Sequence, residues 1–261
     1  MPKFSANLSM MFTEVPFTER FAAAAQAGFK AVEFMFPYDY PIQEVKDLLD
    51  KNKLSLVLFN LPAGNWAAGD RGVAVDPRRV EEFRAGVAKA VEYAKALGTP
   101  RVNCLVGKKL ADVSEAEQQK TLVANLAFAA DACAAAALTL LIEPLNAKDM
   151  PGFTLSTTSQ VFAVIEAVNR PNVRLQYDIY HAQRMEGELV NILRKEIARI
   201  GHIQIADNPG RHEPGTGEIN YRFVFAAIDE VGYAGHVGLE YVPAGKTAEG
   251  LSWLADFGYK L

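Results

Sequence analysis

Cysteine is nearly absent: only Cys104 and Cys133 occur in 261 residues. No Cys-x-x-Cys pair exists, so zinc ribbons and disulfide-stapled scaffolds are excluded and a reducing compartment is permitted. Histidine is almost as scarce, at 4 residues. Positive charge is not in excess, since 27 Lys and Arg face 31 Asp and Glu for a formal net charge of −4. A protein that binds nucleic acid by neutralising phosphates needs the opposite balance. Long apolar runs are missing too. The longest, Ala132 to Ile142, is 11 residues with Thr139 inside it, against the ~20 needed to cross a bilayer. The opening MPKFSANLSMMF carries one Lys and an early Pro and does not read as a secretion signal. The expectation is a cytoplasmic globular protein with no nucleic-acid or membrane partner. Self-association into a homo-oligomer is left open.

Half of the residues are apolar and 22% are charged, which gives ample material for a core. Short apolar runs alternate with longer Ala-rich amphipathic stretches along the whole chain. The runs predict strands at Lys3–Leu8, Lys30–Phe36, Leu54–Asn60, Arg101–Val106, Thr139–Glu143, Val173–Asp178, His202–Ala206 and His236–Tyr241. Helices are predicted in the gaps, at Pro16–Ala27, Ile42–Lys51, Pro77–Leu97, Ser114–Ala137, Thr158–Val168, Leu189–Ile200, Tyr221–Val231 and Thr247–Phe257. Gly28 and Gly98 suit helix ends, Asp76-Pro77 suits a helix start, and Ser114 with Glu117 forms a capping-box pattern. Runs such as VRLQY and LTLLI, apolar on both faces, suit a parallel sheet covered by helices. Eight strand–helix pairs without a linker predict an α/β fold, a single (β/α)8 TIM barrel over residues 1–261. A doubly wound open sheet would want a glycine-rich turn after the first strand. That turn reads Asn7-Leu8-Ser9-Met10-Met11 and holds no glycine, so the dinucleotide fingerprint is absent.

Chemistry on such a barrel sits at the C-terminal strand ends. The fifth to eighth strands bring Glu143, Asp178, Gln204 and Glu240 there, at intervals of 35, 26 and 36 residues, each about one strand–helix unit. Three carboxylates converging in an apolar barrel repel one another. A divalent cation relieves the conflict, and carboxylates with an amide oxygen are hard donors that favour Mg²⁺, with Mn²⁺ as second choice.

The segments LIEPLN, QYDIYH, HIQIADNPGRHEPGTGEIN and GLEYVP, which carry these four residues, resemble the hydroxypyruvate isomerases of the xylose-isomerase-like barrel superfamily. The resemblance runs over nearly the whole chain. It implies one divalent metal on Glu143, Asp178, Gln204 and Glu240, with Glu143 and Glu240 also serving as the acid/base pair. It implies proton transfer between adjacent carbons of an α-hydroxy carbonyl acid, with the cation offsetting the enediolate charge. The favoured reaction interconverts hydroxypyruvate and tartronate semialdehyde. A 2-oxo-tetronate isomerase or a ketose 3-epimerase would use the same metal and glutamates; the epimerase relatives carry His where this chain has Gln204. Apurinic-site endonucleases resemble the fold as well, but use a His-rich three-zinc cluster and a basic groove.

The partner is therefore expected to be a small 2-oxo acid or ketose. His181, in DIYH, matches the family position that contacts a substrate oxygen. Arg211, in the long loop after the seventh strand, is the first choice to fork onto a substrate carboxylate, with Arg71, Lys108 and Arg184 as rivals. Trp66, in the loop LPAGNWAAGDRG, is a candidate lid over the substrate. Glu33 in AVEFMF is read as facing the barrel mouth or pairing with a buried Lys or Arg, and Asp149 as a substrate contact. His202 and His236 are read as starting their strands, at the opposite, stability end of the barrel. Gly215-Thr216-Gly217 reads as a tight turn rather than a phosphate cradle, and Cys104 as an inert core thiol.

Overall fold

The computed structural model describes residues 1–261. Its strands are β1 (Lys3–Asn7), β2 (Ala31–Glu33), β3 (Ser55–Asn60), β4 (Arg101–Cys104), β5 (Thr139–Ile142), β6 (Val173–Asp178), β7 (Ile200–Ile205) and β8 (His236–Leu239). Each pairs in parallel with the next, and β8 returns to β1 through Lys3↔His236 to Ala6↔Leu239, closing the barrel. Around it lie α1 (Phe17–Gln26), α2 (Ile42–Asn52), α3 (Val80–Leu97), α4 (Glu115–Ala135), α5 (Thr158–Val168), α6 (Ile179–Met185), α7 (Leu189–Glu196), α8 (Tyr221–Glu230), α9 (Thr247–Gly250) and α10 (Trp253–Asp256).

The strands are buried on both faces because helices cover the outside and side chains fill the inside. One apolar core joins the outward strand faces to the helices, while Ala31, Val57, Leu58 and Leu141 form a small separate cluster. Side chains two residues apart share a face. The inward face thus carries the pairs Ser5 and Asn7, Leu141 and Glu143, Gln176 and Asp178, His202 and Gln204, and Gly238 and Glu240. The second member of each pair lies nearer the C-terminal mouth. Parallel register sets Gln176 opposite His202 and Asp178 opposite Gln204, whereas Gln204 stands opposite Gly238, so the rows step by one inward layer between β7 and β8.

Local signals act as expected at several ends. Gly98 adopts φ 70° as the cap of α3, and the Ser114 hydroxyl accepts from Glu117 N at 3.2 Å at the start of α4. The reciprocal capping box appears instead at α5, between Thr157 and Gln160. Asp76 caps a 3₁₀ turn, Pro77–Arg79, and α3 begins only at Val80. The eighth predicted helix breaks into α9 and α10. An unforeseen helix, α6, follows β6 directly, because Asp178 itself caps it by accepting from Tyr180 N at 2.8 Å.

One expectation is corrected. β7 starts at Ile200, so His202 is its third residue, fully buried inside the barrel rather than at its far end. The short segment Ile200-Gly201 reads as the end of a helix in sequence, but pairing with β6 draws it into the sheet. His236 does start β8.

Candidate active site

Glu143 and Glu240 are the first residues beyond β5 and β8, Asp178 ends β6, and Gln204 is the fifth residue of β7. One donor atom from each of Glu143, Asp178, Glu240 and His181 lies within 4.8 Å of the others, and all four residues are buried. At 4.8 Å two full charges repel by about 3.5 kcal/mol at an effective dielectric of about 20. Burial first, and the neighbouring carboxylates second, push Glu143 well above the usual carboxylate range. Asp178 is raised by burial, against the pull of Arg211. Burial likewise pushes Glu240 up to about 8, again opposed by Arg211.

The hydrogen bonds leave a specific deficit. Glu240 Oε1 accepts from Asn7 Nδ2 at 3.0 Å and Oε2 from Arg211 Nη2 at 2.8 Å. Glu143 Oε2 accepts from Asn103 Nδ2 at 3.1 Å. Glu143 Oε1 and Asp178 Oδ2 are buried with no hydrogen-bond partner. Buried carboxylate oxygens are rarely left so, because each forfeits its solvation. Two unpartnered anionic oxygens in a cluster of hard donors fit a hard divalent cation.

His181 is a neighbour of a different kind. Its Nδ1 accepts from the Asn146 backbone N–H at 3.2 Å and lies 2.7 Å from Asn146 Nδ2. A backbone N–H can only donate, so Nδ1 carries no proton and the neutral ring has its proton on Nε2. That Nε2–H lies 3.6 Å from Asp178 Oδ2. Burial, then Arg211 and Arg184, hold the imidazole well below its ordinary pKa. His181 is therefore a neutral donor facing the cluster, not a free lone pair for a metal.

Gln204 is engaged at both ends. Its Nε2 donates to Glu33 Oε1 at 2.8 Å, and its Oε1 accepts from Gln176 Nε2 at 2.6 Å. One of the two lone pairs on that oxygen remains. Glu33 is fully buried in the barrel, where it meets no Lys or Arg but four donors: Ser5 Oγ, Asn7 Nδ2, His202 Nε2 and Gln204 Nε2. Burial opposes its ionisation, but His202 and the other donors outweigh it and hold the carboxylate below the usual range.

Arg211 spans Glu240 at 2.8 Å and Asp178 at 3.6 Å, over the ring of Tyr180 at 5.1 Å, with its Nε buried and unpartnered. Its loop is held by Asp207, whose carboxylate accepts from the backbone N–H groups of Asn208, Gly215, Gly217 and Ile219 at 2.8–3.1 Å. The two glycine N–H groups are thus already filled from within, as a tight turn requires. Asp207→Ala is expected to strand these donors and to destabilise the chain by about 3 kcal/mol. A denaturant melt, with proteolysis at residues 208–218, would check it; a stability loss under about 1 kcal/mol would contradict it.

Of the other sequence candidates, Trp66 lies on a 3₁₀ turn, Trp66–Ala68, half-exposed, against the Phe36 ring at 5.3 Å and under the Arg71 guanidinium at 3.9 Å. Asp149 is taken up by Asn146, the Tyr180 hydroxyl and Arg184. Lys108 pairs through its backbone with Phe153. Burial pushes the Cys104 thiol up, as suits an inert core residue. Sequence reading missed Asn7, Asn103 and Asn146, which orient Glu240, Glu143 and His181. The first two carried the same signal as the acids, a polar residue at the mouth end of an apolar strand.

A model of the xylose isomerase-like TIM barrel family matches residues 21–257. The chain is 55% identical over 257 residues to hydroxypyruvate isomerase of Escherichia coli, covering 98% of this chain and 100% of that one. It is 47% identical to 2-oxo-tetronate isomerase of Cupriavidus necator, covering 98% and 99%. A crystal structure described as AP endonuclease, family 2 from Brucella melitensis superposes with a TM-score of 0.95 at 45% identity, covering 98% and 99%. The chain belongs to the xylose isomerase-like TIM barrel family and, within it, to the hydroxypyruvate isomerase family. It is an enzyme of the isomerase class.

Proposed function

We propose that this chain interconverts hydroxypyruvate and tartronate semialdehyde with one divalent cation, Mg²⁺ before Mn²⁺, held by Glu143, Asp178, Gln204 and Glu240. The observation that carries the reading is the convergence of three buried carboxylates within 4.8 Å, two with unpartnered oxygens, in a chain 55% identical to a hydroxypyruvate isomerase. When bound, the cation supplies positive charge that polarises the substrate carbonyl.

The side chains supply the rest. Glu143 and Glu240 form the acid/base pair: one takes a proton from C3, and the same group or its partner delivers a proton to C2. The C3 hydroxyl proton passes to the C2 oxygen, so the formula is unchanged and the ketone becomes an aldehyde. The Nε2–H of His181 donates to a substrate oxygen and steadies charge there. Arg211 takes the substrate carboxylate, and Trp66 covers the substrate against water. Arg211→Ala is expected to raise KM mainly for carboxylate substrates; an equal loss on a neutral ketose would reassign it.

The 47% identity to a 2-oxo-tetronate isomerase favours a second reading in which the same residues act on a longer 2-oxo acid. Incubating hydroxypyruvate, 2-oxo-tetronate and a neutral ketose with enzyme and Mg²⁺ in deuterated water, with exchange followed by NMR, separates the two. The reading expects the fastest exchange and turnover with hydroxypyruvate. No exchange into any of the three would overturn it. An endonuclease reading finds little support in a chain with a net charge of −4 and one histidine at the cluster.

A further inference from the structure

Glu33 comes from β2, across the barrel from Gln204, and no part of the proton transfer uses it. Its carboxylate nevertheless gathers four donors from two strands, β1 and β7: Ser5 Oγ at 2.9 Å, Asn7 Nδ2 at 3.3 Å, His202 Nε2 at 2.9 Å and Gln204 Nε2 at 2.8 Å. The barrel makes room for it. A Cβ on Gly238 would lie 2.5 Å from both Glu33 oxygens, so only glycine leaves space there.

The polarity of the network is fixed at its edges. The Arg101 guanidinium, a donor only, lies 3.3 Å from His202 Nδ1, so Nδ1 accepts and Nε2–H points to Glu33. Asn7 Oδ1 accepts from the Ser9 backbone N–H at 3.0 Å, so its Nδ2 must face the acids, where it bridges Glu33 and Glu240 Oε1. An ionised carboxylate can only accept. It therefore forces the nitrogen of the Gln204 amide toward itself, and the oxygen is the only end left for an electrophile. Without that acceptor the two ends of the amide have similar partners, because Gln176 can either donate or accept.

We propose that Glu33 is a positioning residue: it sets the sense of the Gln204 amide so that an oxygen, not an N–H, is offered to the cation, and through Asn7 it holds Glu240. The inference rests on the cation site proposed above. Partners that orient metal ligands are commonly worth about 10–100-fold in metal affinity.

The test is Mn²⁺ binding to the metal-stripped chain, by calorimetry and by the EPR signal of free Mn²⁺, which needs no substrate. Glu33→Gln should weaken Mn²⁺ about 10–100-fold. The exchange Glu33→Gln with Gln204→Glu keeps one carboxylate and one amide in contact and again offers an oxygen at position 204. It should restore binding to within about 10-fold of the native chain. Unchanged Mn²⁺ affinity in folded Glu33→Gln would overturn the proposal. So would an exchanged variant that folds yet binds no better than the single one, the result expected if Glu33 only filled space. Where the single variant does not fold, the exchanged variant decides: native-like affinity supports the proposal and a loss above about 100-fold overturns it. A native chain that binds no Mn²⁺ at all would instead remove the cation site itself. Turnover without preference for hydroxypyruvate would remove only the substrate assignment.

Discussion

Glu143→Gln and Glu240→Gln should each cut turnover by about 10²–10⁴, the usual worth of a general acid or base. Glutamine keeps the length of the side chain and an oxygen that can still accept, so the Asn103 bond to position 143 and the Asn7 bond to position 240 can persist. What it removes is the ability to take a proton. The losses are expected in kcat more than in KM, since proton transfer belongs to the transition state. Exchange of the C3 hydrogen in deuterated water then sorts the pair. The variant lacking the first base should lose exchange and turnover together. The variant lacking only the second group should keep exchanging at C3 while product formation stops. Native turnover in either variant would remove that residue from the mechanism.

Stripping the chain with a chelator should abolish turnover, and Mg²⁺ or Mn²⁺ should restore it. The same treatment should reverse the pH dependence of stability. All three carboxylates of the cluster are raised, Glu240 to about 8. A folded-state pKa above the unfolded value means that the folded chain holds the proton longer. The metal-free chain is then most stable at low pH for these groups and loses that stability as pH rises from about 4.3, the unfolded glutamate value, through about 8. The loss amounts to a few kcal/mol, since each pKa unit is worth about 1.4 kcal/mol. A cation needs the deprotonated carboxylates, so its stabilisation must grow over the same window. Thermal melts at about pH 5 and about pH 9, with chelator and with Mn²⁺, should show a much larger gain in Tm at the higher pH. A gain independent of pH, or none, would contradict the reading.

Legibility differed between the two halves of the molecule's design. Strand–helix alternation is a local pattern: each short apolar run must be buried on both faces, and each amphipathic stretch must cover one of them. The order of the strands and the barrel were therefore readable from end to end, whereas α6 and the break between α9 and α10 were not. The acids were readable as well, because a charged residue at the end of an apolar strand has few reasons to be there, and the intervals among Glu143, Asp178 and Glu240 match the repeat. His202 was misassigned because two residues of β7 look like a helix end until β6 is beside them. Glu33, buried in an apolar run, could not be matched with a partner: those it found lie 28 and 26 residues before it and 169 and 171 residues after it.

The sequence alone determined the composition class, the alternating elements and the kinds of chemical groups available at the strand ends, since these follow from side-chain polarity and near-neighbour periodicity. Only the tertiary structure decided which oxygens were left without donors, that His181 is a neutral donor, that Arg211 bridges Glu240 and Asp178, and that Asn7 and Glu33 hydrogen-bond Glu240 and Gln204. Those outcomes depend on closing β8 against β1 and on the register of all eight strands. Hydrogen bonds are directional and fail beyond about 3.5 Å, so they become defined only when distant segments are brought level.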